Sequence, residues 1–181
     1  VLGVGSGILL AVAASVLQLR AALAVRSAAR EVQVAFYRAR SEAISRERKV
    51  GIKFRKNGDR YEWALYGDGN GNGVLSAEIL SGMDRPLGVA FPWSRNDVAP
   101  GILTGIPVPD PGAPGRQLTR PEDPIRFNLS DICSFSPVGE STPGSVYLWD
   151  GHDRMAVVRI FGRSAKVRAL YHRRGERGWY P

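Results

Sequence analysis

The chain has 181 residues, 44% of them hydrophobic and 23% charged, and a formal net charge of +8. That length supplies one domain of ordinary size plus an appendage, and the composition is that of a foldable chain rather than a disordered one. A lone Cys133 excludes an intramolecular disulfide and a cysteine metal cluster, and two histidines, His152 and His172, leave little for zinc or base catalysis.

The chain opens VLGVGSGILLAVAASVLQL. Its glycines superficially suggest a dinucleotide loop. That fingerprint needs a strand before the first glycine and alternating strand–helix units after it, whereas only Val1 and Leu2 precede Gly3. The better reading is a membrane helix. No charge occurs from Val1 to Leu19, and roughly 20 apolar helical residues span a bilayer. A signal-peptide core or a buried helix is the alternative, but no basic leader is visible and nothing breaks the pattern. Leu9, Leu10, Val12, Val16 and Leu19 are the expected lipid- or filament-facing residues of this stretch.

Neither Pro nor Gly occurs from Ile8 to Lys49. Val25, Ala28, Val32, Phe36, Ala39 and Ala43 recur at three- and four-residue steps, with Arg26, Arg30, Gln33, Tyr37 and Arg40 opposite. One helix is therefore expected, apolar all round over 1–19 and amphipathic over 20–48. Residues 49–181 then form a β domain.

After the helix the period falls to two. Val50, Ile52 and Phe54 share a face, with Tyr61, Trp63 and Leu65 opposite across a turn at 57–59. Residues 85–125 hold nine of the twelve prolines and predict a long loop, an irregular insertion or edge strands. Strand signals return at 125–128, 132–135, 146–149, 155–160 and 166–171, with turns at 150–153 and 162–164. The expected class is α+β, a long helix packed on a mostly antiparallel sheet domain.

Two stretches are candidate sites. DGNGNGVLSAEI sets oxygen side chains at Asp68, Asn70 and Asn72, with Glu78 following and the Val74 carbonyl within reach. Calcium takes six to eight oxygens, and a D-x-N-x-N-G loop supplies such a set. The acid falls one place earlier than in an EF-hand, no helix precedes it, and a polar turn rich in left-handed conformers reads equally well. The second stretch is basic. Residues 151–181 carry eight basic and two acidic groups. Its cations would contact phosphates of a polyanion with salt-sensitive affinity, and Tyr171 and Trp179 would stack on bases or pack. The plainer reading is a solvated edge strand kept charged against aggregation.

Catalytic readings fail on context. His152 sits in a DGHD turn with no nucleophile placed, Ser141 lacks the strand–elbow–helix setting of a hydrolase, and Cys133 reads as a small buried hydrophobe. No enzyme and no small-molecule substrate are expected.

Three stretches make the chain resemble the type IV pilin-like minor pseudopilins of the GspH/FimT family: RSAAREVQVAFYRARSEAISRERKVGIKF; YGDGNGNGVLSAEILSGMDRPL; and ICSFSPVGESTPGSVYLWDG followed by AVVRIFGRSAKVRAL. The resemblance implies an inner-membrane precursor cut by a prepilin peptidase and methylated. It implies one membrane pass, a β domain in the periplasm or on a surface filament, and polymerisation with other pilins of a type II secretion system or type IV pilus. Identical apolar half-helices leave the bilayer by burying one another, which is open-ended association. Members carry a glutamate five residues into the mature chain. None is present here, and Val1 falls roughly eight residues inside the usual start, so a missing beginning is expected. Some members bind DNA during uptake through a basic C-terminal region, for which Arg163, Lys166, Arg168, Arg173, Arg174 and Arg177 are the matching positions. A tethered domain that never polymerises is the third class.

Overall fold

The computed structural model describes residues 2–58, 60–94, 97–128 and 130–181, with side chains inside the first helix from residue 15 onward. Helix α1 runs Leu2–Ser45, about 66 Å at 1.5 Å per residue. All six residues of the expected stripe are buried, from Val25 at 2% exposed to Ala28, Phe36, Ala39 and Ala43 at 0%. Small alanines alternate with Val32 and Phe36, which lets the helix sit close to the sheets. After Ser45 the chain turns through Glu47, a non-glycine residue at φ 52°.

The β domain is not one sheet but two. Strands β1 (Val50–Asn57) and β2 (Arg60–Gly67) form the antiparallel hairpin, pairing Ile52 with Leu65 and Phe54 with Trp63. Asp59, at the expected turn, lies outside the described residues. Short strands β3 (Arg85–Pro86) and β4 (Phe91–Pro92) edge β2, and β7 (Ile132–Phe135) edges β1. The second sheet contains β8 (Gly144–Trp149), β9 (Arg154–Phe161) and β10 (Lys166–Arg173), joined by antiparallel turns. Two-residue strands β5 (Ala99–Pro100) and β6 (Ile125–Arg126) pair with β8. Helix α1 contacts β1 and β7 of one sheet and β8 and β9 of the other.

Phe36 is the hinge of this packing. Its ring meets Phe54 edge-on at 6.2 Å, Phe127 edge-on at 6.0 Å and Phe135 at 6.3 Å, so one helical residue joins two strands of the first sheet and the chain that follows β6 in a single core. Edge-to-face rings add to their area burial.

The Pro-rich segment is ordered by what it covers. Ile102, Leu103 and Val108 pack with Tyr147, Met155 and Val157 on the face of the second sheet away from α1. Trp179 closes this minor core, donating from its indole nitrogen to the Pro109 carbonyl at 2.8 Å. The expected long loop with edge strands is thus a lid on a sheet. A second short helix, α2 (Ser76–Ser81), follows the DGNGNG loop and ends at Gly82 in the left-handed region.

Candidate functional site

The first candidate surface is the start of α1. Val16, Leu17, Leu19 and Leu23 are 45%, 65%, 61% and 56% exposed. They continue an apolar sequence that runs back to Val1. Ala21 and Ala22 are half-buried, and full burial of the helix begins at Ala24 and Val25. The side chains of Leu9, Leu10 and Val12 lie outside the described residues. Among the described residues, no helix is long and apolar enough to cross a membrane. Contiguous exposed apolar side chains are the surface feature that marks protein or membrane contacts.

The second is the DGNGNG loop, which holds itself together. Asp68 accepts backbone N–H groups from Asn70 (3.2 Å) and Gly71 (2.7 Å) on Oδ1, and from Gly73 (2.8 Å) on Oδ2. Asp84, 0% exposed, accepts from Gly69 (3.0 Å) and Leu75 (2.8 Å). The Asn70 and Asn72 side-chain amides both donate to Glu78 Oε1, at 3.0 and 2.7 Å. Glu78 Oε2 is buried with no hydrogen-bond partner. Val74 is buried against Ala64, Tyr66 and Ile132, which anchors the loop. Asn70 and Asn72 thus meet Glu78 through their amide nitrogens rather than their oxygens, while the Asp68 carboxylate is turned to backbone N–H groups of the loop. Among the described residues, no group of three or more His, Cys, Asp or Glu side chains is arranged to hold a metal. Asp84 was not legible as a loop residue. It stands alone in MDRPL, and no spacing rule points to it.

The third is the basic C-terminal region. Arg163, Lys166, Arg168, Arg173, Arg174 and Arg177 are all exposed. They do not act as one set. Arg174 is tied to Asp153 at 2.9 Å and to the His152 carbonyl. Lys166 and Arg168 share the outer face of β10, where Arg168 lies directly opposite Arg159 of β9. Both guanidinium groups approach the Phe161 ring, at 5.5 Å for Arg159 and 5.8 Å for Arg168. Arg159 was missed, although period-two counting back along β9 places it beside Arg168. Tyr171 and Trp179 pack: Arg26 lies over the Tyr171 ring at 5.1 Å, and Trp179 sits between Tyr147 and His172.

The groups considered for catalysis sit as follows. Cys133 is fully buried, and burial pushes its thiol far above the ordinary range. His152 lies in the exposed β8–β9 turn, its backbone N–H bonded to Asp150. Ser141 donates to the Gly162 carbonyl.

A long helix laid across two antiparallel sheets, with an apolar first half reaching past them, is the architecture of a pilin-like subunit. The family model for the type II transport protein GspH matches residues 28–162, and the chain belongs to that family. Comparison with curated proteins and with solved structures found no match. Family membership gives the chain a role as a type II secretion pseudopilin, a structural, non-enzymatic component that associates with other pseudopilins. The matched range begins inside α1 and ends before β10, so the exposed helix start and the basic strand both lie beyond it.

Proposed function

We propose that this pseudopilin is a minor filament subunit, anchored in the inner membrane before assembly and polymerising through the first half of α1, with its β domain on the periplasmic side. The observation that carries this reading is the exposed run Val16, Leu17, Leu19 and Leu23, which no other part of the described chain covers. Such a surface is stable in lipid or against other helices, and a filament of like helices supplies the second environment when the subunit leaves the first. The test is Leu19→Arg in the full chain. A charge on that helix face should remove the subunit from isolated pseudopilin assemblies and leave the β domain folded. Normal incorporation of Leu19→Arg would refute the reading.

DNA binding is the second reading, favoured by the exposed Lys166 and Arg168 beside Phe161; Arg159 is half-buried and donates to the Pro111 carbonyl at 2.6 Å. Against it, Trp179 and Tyr171 are engaged in packing, and Arg174 is already paired. Phosphate contacts predict affinity falling steeply with salt. Duplex affinity that is lost in the double variant Lys166→Glu/Arg168→Glu would favour DNA uptake over secretion.

Calcium at the DGNGNG loop is a further proposal, supported by the buried, unpartnered Glu78 Oε2 beside Asn70 and Asn72. An ion there would compete with the N–H groups that Asp68 already holds, which points to weak affinity. A rise in melting temperature on adding millimolar calcium, reversed by EGTA and absent in Glu78→Gln, would assign the ion. An unchanged melting temperature would leave the loop a self-bonded turn.

A further inference from the structure

Strand β10 is the outermost strand of its sheet and bonds β9 along its whole length. Among the described residues, its other edge is open over the first half of the strand and covered over the second. Tyr171 exchanges both backbone hydrogen bonds with Tyr180, at 2.7 and 2.9 Å, so the N–H and C=O of Tyr171 point away from β9. Alternation turns those of Val167 and Ala169 the same way. The C-terminal segment thus already covers this edge at Tyr171 and at Arg173, whose N–H donates to the Glu176 carboxylate at 2.7 Å and whose carbonyl accepts from the Glu176 N–H at 2.9 Å, and it stops short of Val167 and Ala169. Natural sheets blunt such an edge with a bulge, a proline, a cover or charged side chains, and here Lys166 and Arg168 are the device present, which selects against like-charged partners and leaves the edge open to an acidic one.

The flanking charges say what would fit. Lys166 and Arg168 stand on the outer face, Arg163 stands in the turn before the strand, and Arg26 of α1 lies over Tyr171 on the inner side. Across the β9–β10 ladder, Arg168 opposes Arg159 and Arg173 opposes Arg154. Like charges directly opposite one another destabilise a sheet. Among the described residues, Arg168 and Lys166 make no ion pair that would relieve this. A second copy of the chain pairing β10 to β10 would set cation against cation, so self-association at this edge is disfavoured.

We propose that the outer edge of β10 docks an extended acidic segment of a different protein, added as a further strand. The backbone of Val167 and Ala169 would supply the ladder bonds, and acidic side chains at alternate positions would meet Lys166 and Arg168. This site is separate from α1 and does not rest on the filament reading.

The test uses the full chain in detergent and a labelled, end-blocked seven-residue peptide alternating Glu and Val. Binding should be saturable and should slow amide exchange at Val167 and Ala169. Ala169→Pro removes an outward N–H without touching the β9 ladder, a position where an edge strand tolerates proline. It should weaken binding at least about tenfold with an unchanged melting temperature. Val167→Pro serves as the second backbone variant should Ala169→Pro disturb packing. Lys166→Glu/Arg168→Glu should lose the Glu peptide and gain one alternating Lys and Val. Absence of saturable binding by the unsubstituted chain overturns the proposal. So does equal affinity in folded proline variants, which would mean plain charge attraction. Duplex DNA that competes fully and binds the proline variants equally would mark a polyanion patch, and also overturns it.

Discussion

Phe36 is fully buried at the meeting point of α1 with the β domain. It touches aromatic rings from β1, from β7 and from the chain beside β6. Phe36→Ala should destabilise the domain by about 3–5 kcal/mol, the usual cost of removing a buried aromatic, read from denaturant midpoints. Asp84 is the other sensitive position. Asp84→Ala strands the Gly69 and Leu75 N–H groups and should cost about 2–3 kcal/mol. Asp84→Asn keeps one acceptor and should recover part of that. Gly69 itself admits no side chain, because a Cβ there would lie 2.1 Å from the Met83 carbonyl oxygen. The Phe36 position was legible from helical spacing. Asp84 was not, because a carboxylate that caps a loop from fifteen residues away leaves no local pattern.

Asp131 gives a pH-dependent prediction at the same scale. Burial raises its carboxyl, nearby Lys53 opposes this, and Asp123 adds a smaller upward push. A carboxylate whose pKa is raised by folding costs stability once ionised, so its contribution is favourable in acid and is lost as pH rises through the range above the ordinary aspartate value. Asp131→Asn should therefore be more stable than the parent at neutral pH, and this advantage should vanish in strong acid. The effect is modest because Asp131 is largely exposed. Tyr61, raised by burial and secondarily by Asp131, should titrate lower in the same variant, seen by ultraviolet absorbance.

At the scale of elements, the hairpin β1–β2 and the strands from β7 onward are written plainly in the sequence. Alternation put Ile52, Phe54, Leu65 and Trp63 on the inner face, and the structure buries all four. Two features were hidden. The strands divide between two sheets, because α1 is long enough to bind both, and no local period records which strand joins which sheet. The Pro-rich segment covers the second sheet through Ile102, Leu103 and Val108, apolar residues without periodicity. That lid predicts a specific behaviour. Trp179→Ala removes its closing ring and the bond to Pro109, and should raise amide exchange across 101–118 while leaving the α1-facing core protected.

For the whole molecule, the helix divides into a half committed to its own domain and a half left open. From Ala24 onward the apolar stripe is covered by sheets; before it, Leu17, Leu19 and Leu23 are bare. The sequence announced this division through the change from an all-round apolar run to a one-faced stripe. It did not disclose the open edge of β10 or the opposition of Arg159 and Arg168, which exist only once the second sheet is assembled. The α1 surface and the β10 edge lie on different elements, so their variants should behave additively. Leu19→Arg should abolish assembly without affecting peptide binding, and Ala169→Pro should do the reverse.

The central claim is that the open half of α1 assembles with other pseudopilins, and in-membrane crosslinking of Leu19→Cys tests it most directly. Cys133 is buried and its thiol is held protonated, so the native cysteine should stay silent towards maleimides. A bismaleimide added to whole cells should trap Leu19→Cys to another pseudopilin carrying a cysteine in its own helix. A Leu19→Cys subunit that accumulates normally and yields no such adduct would contradict the account.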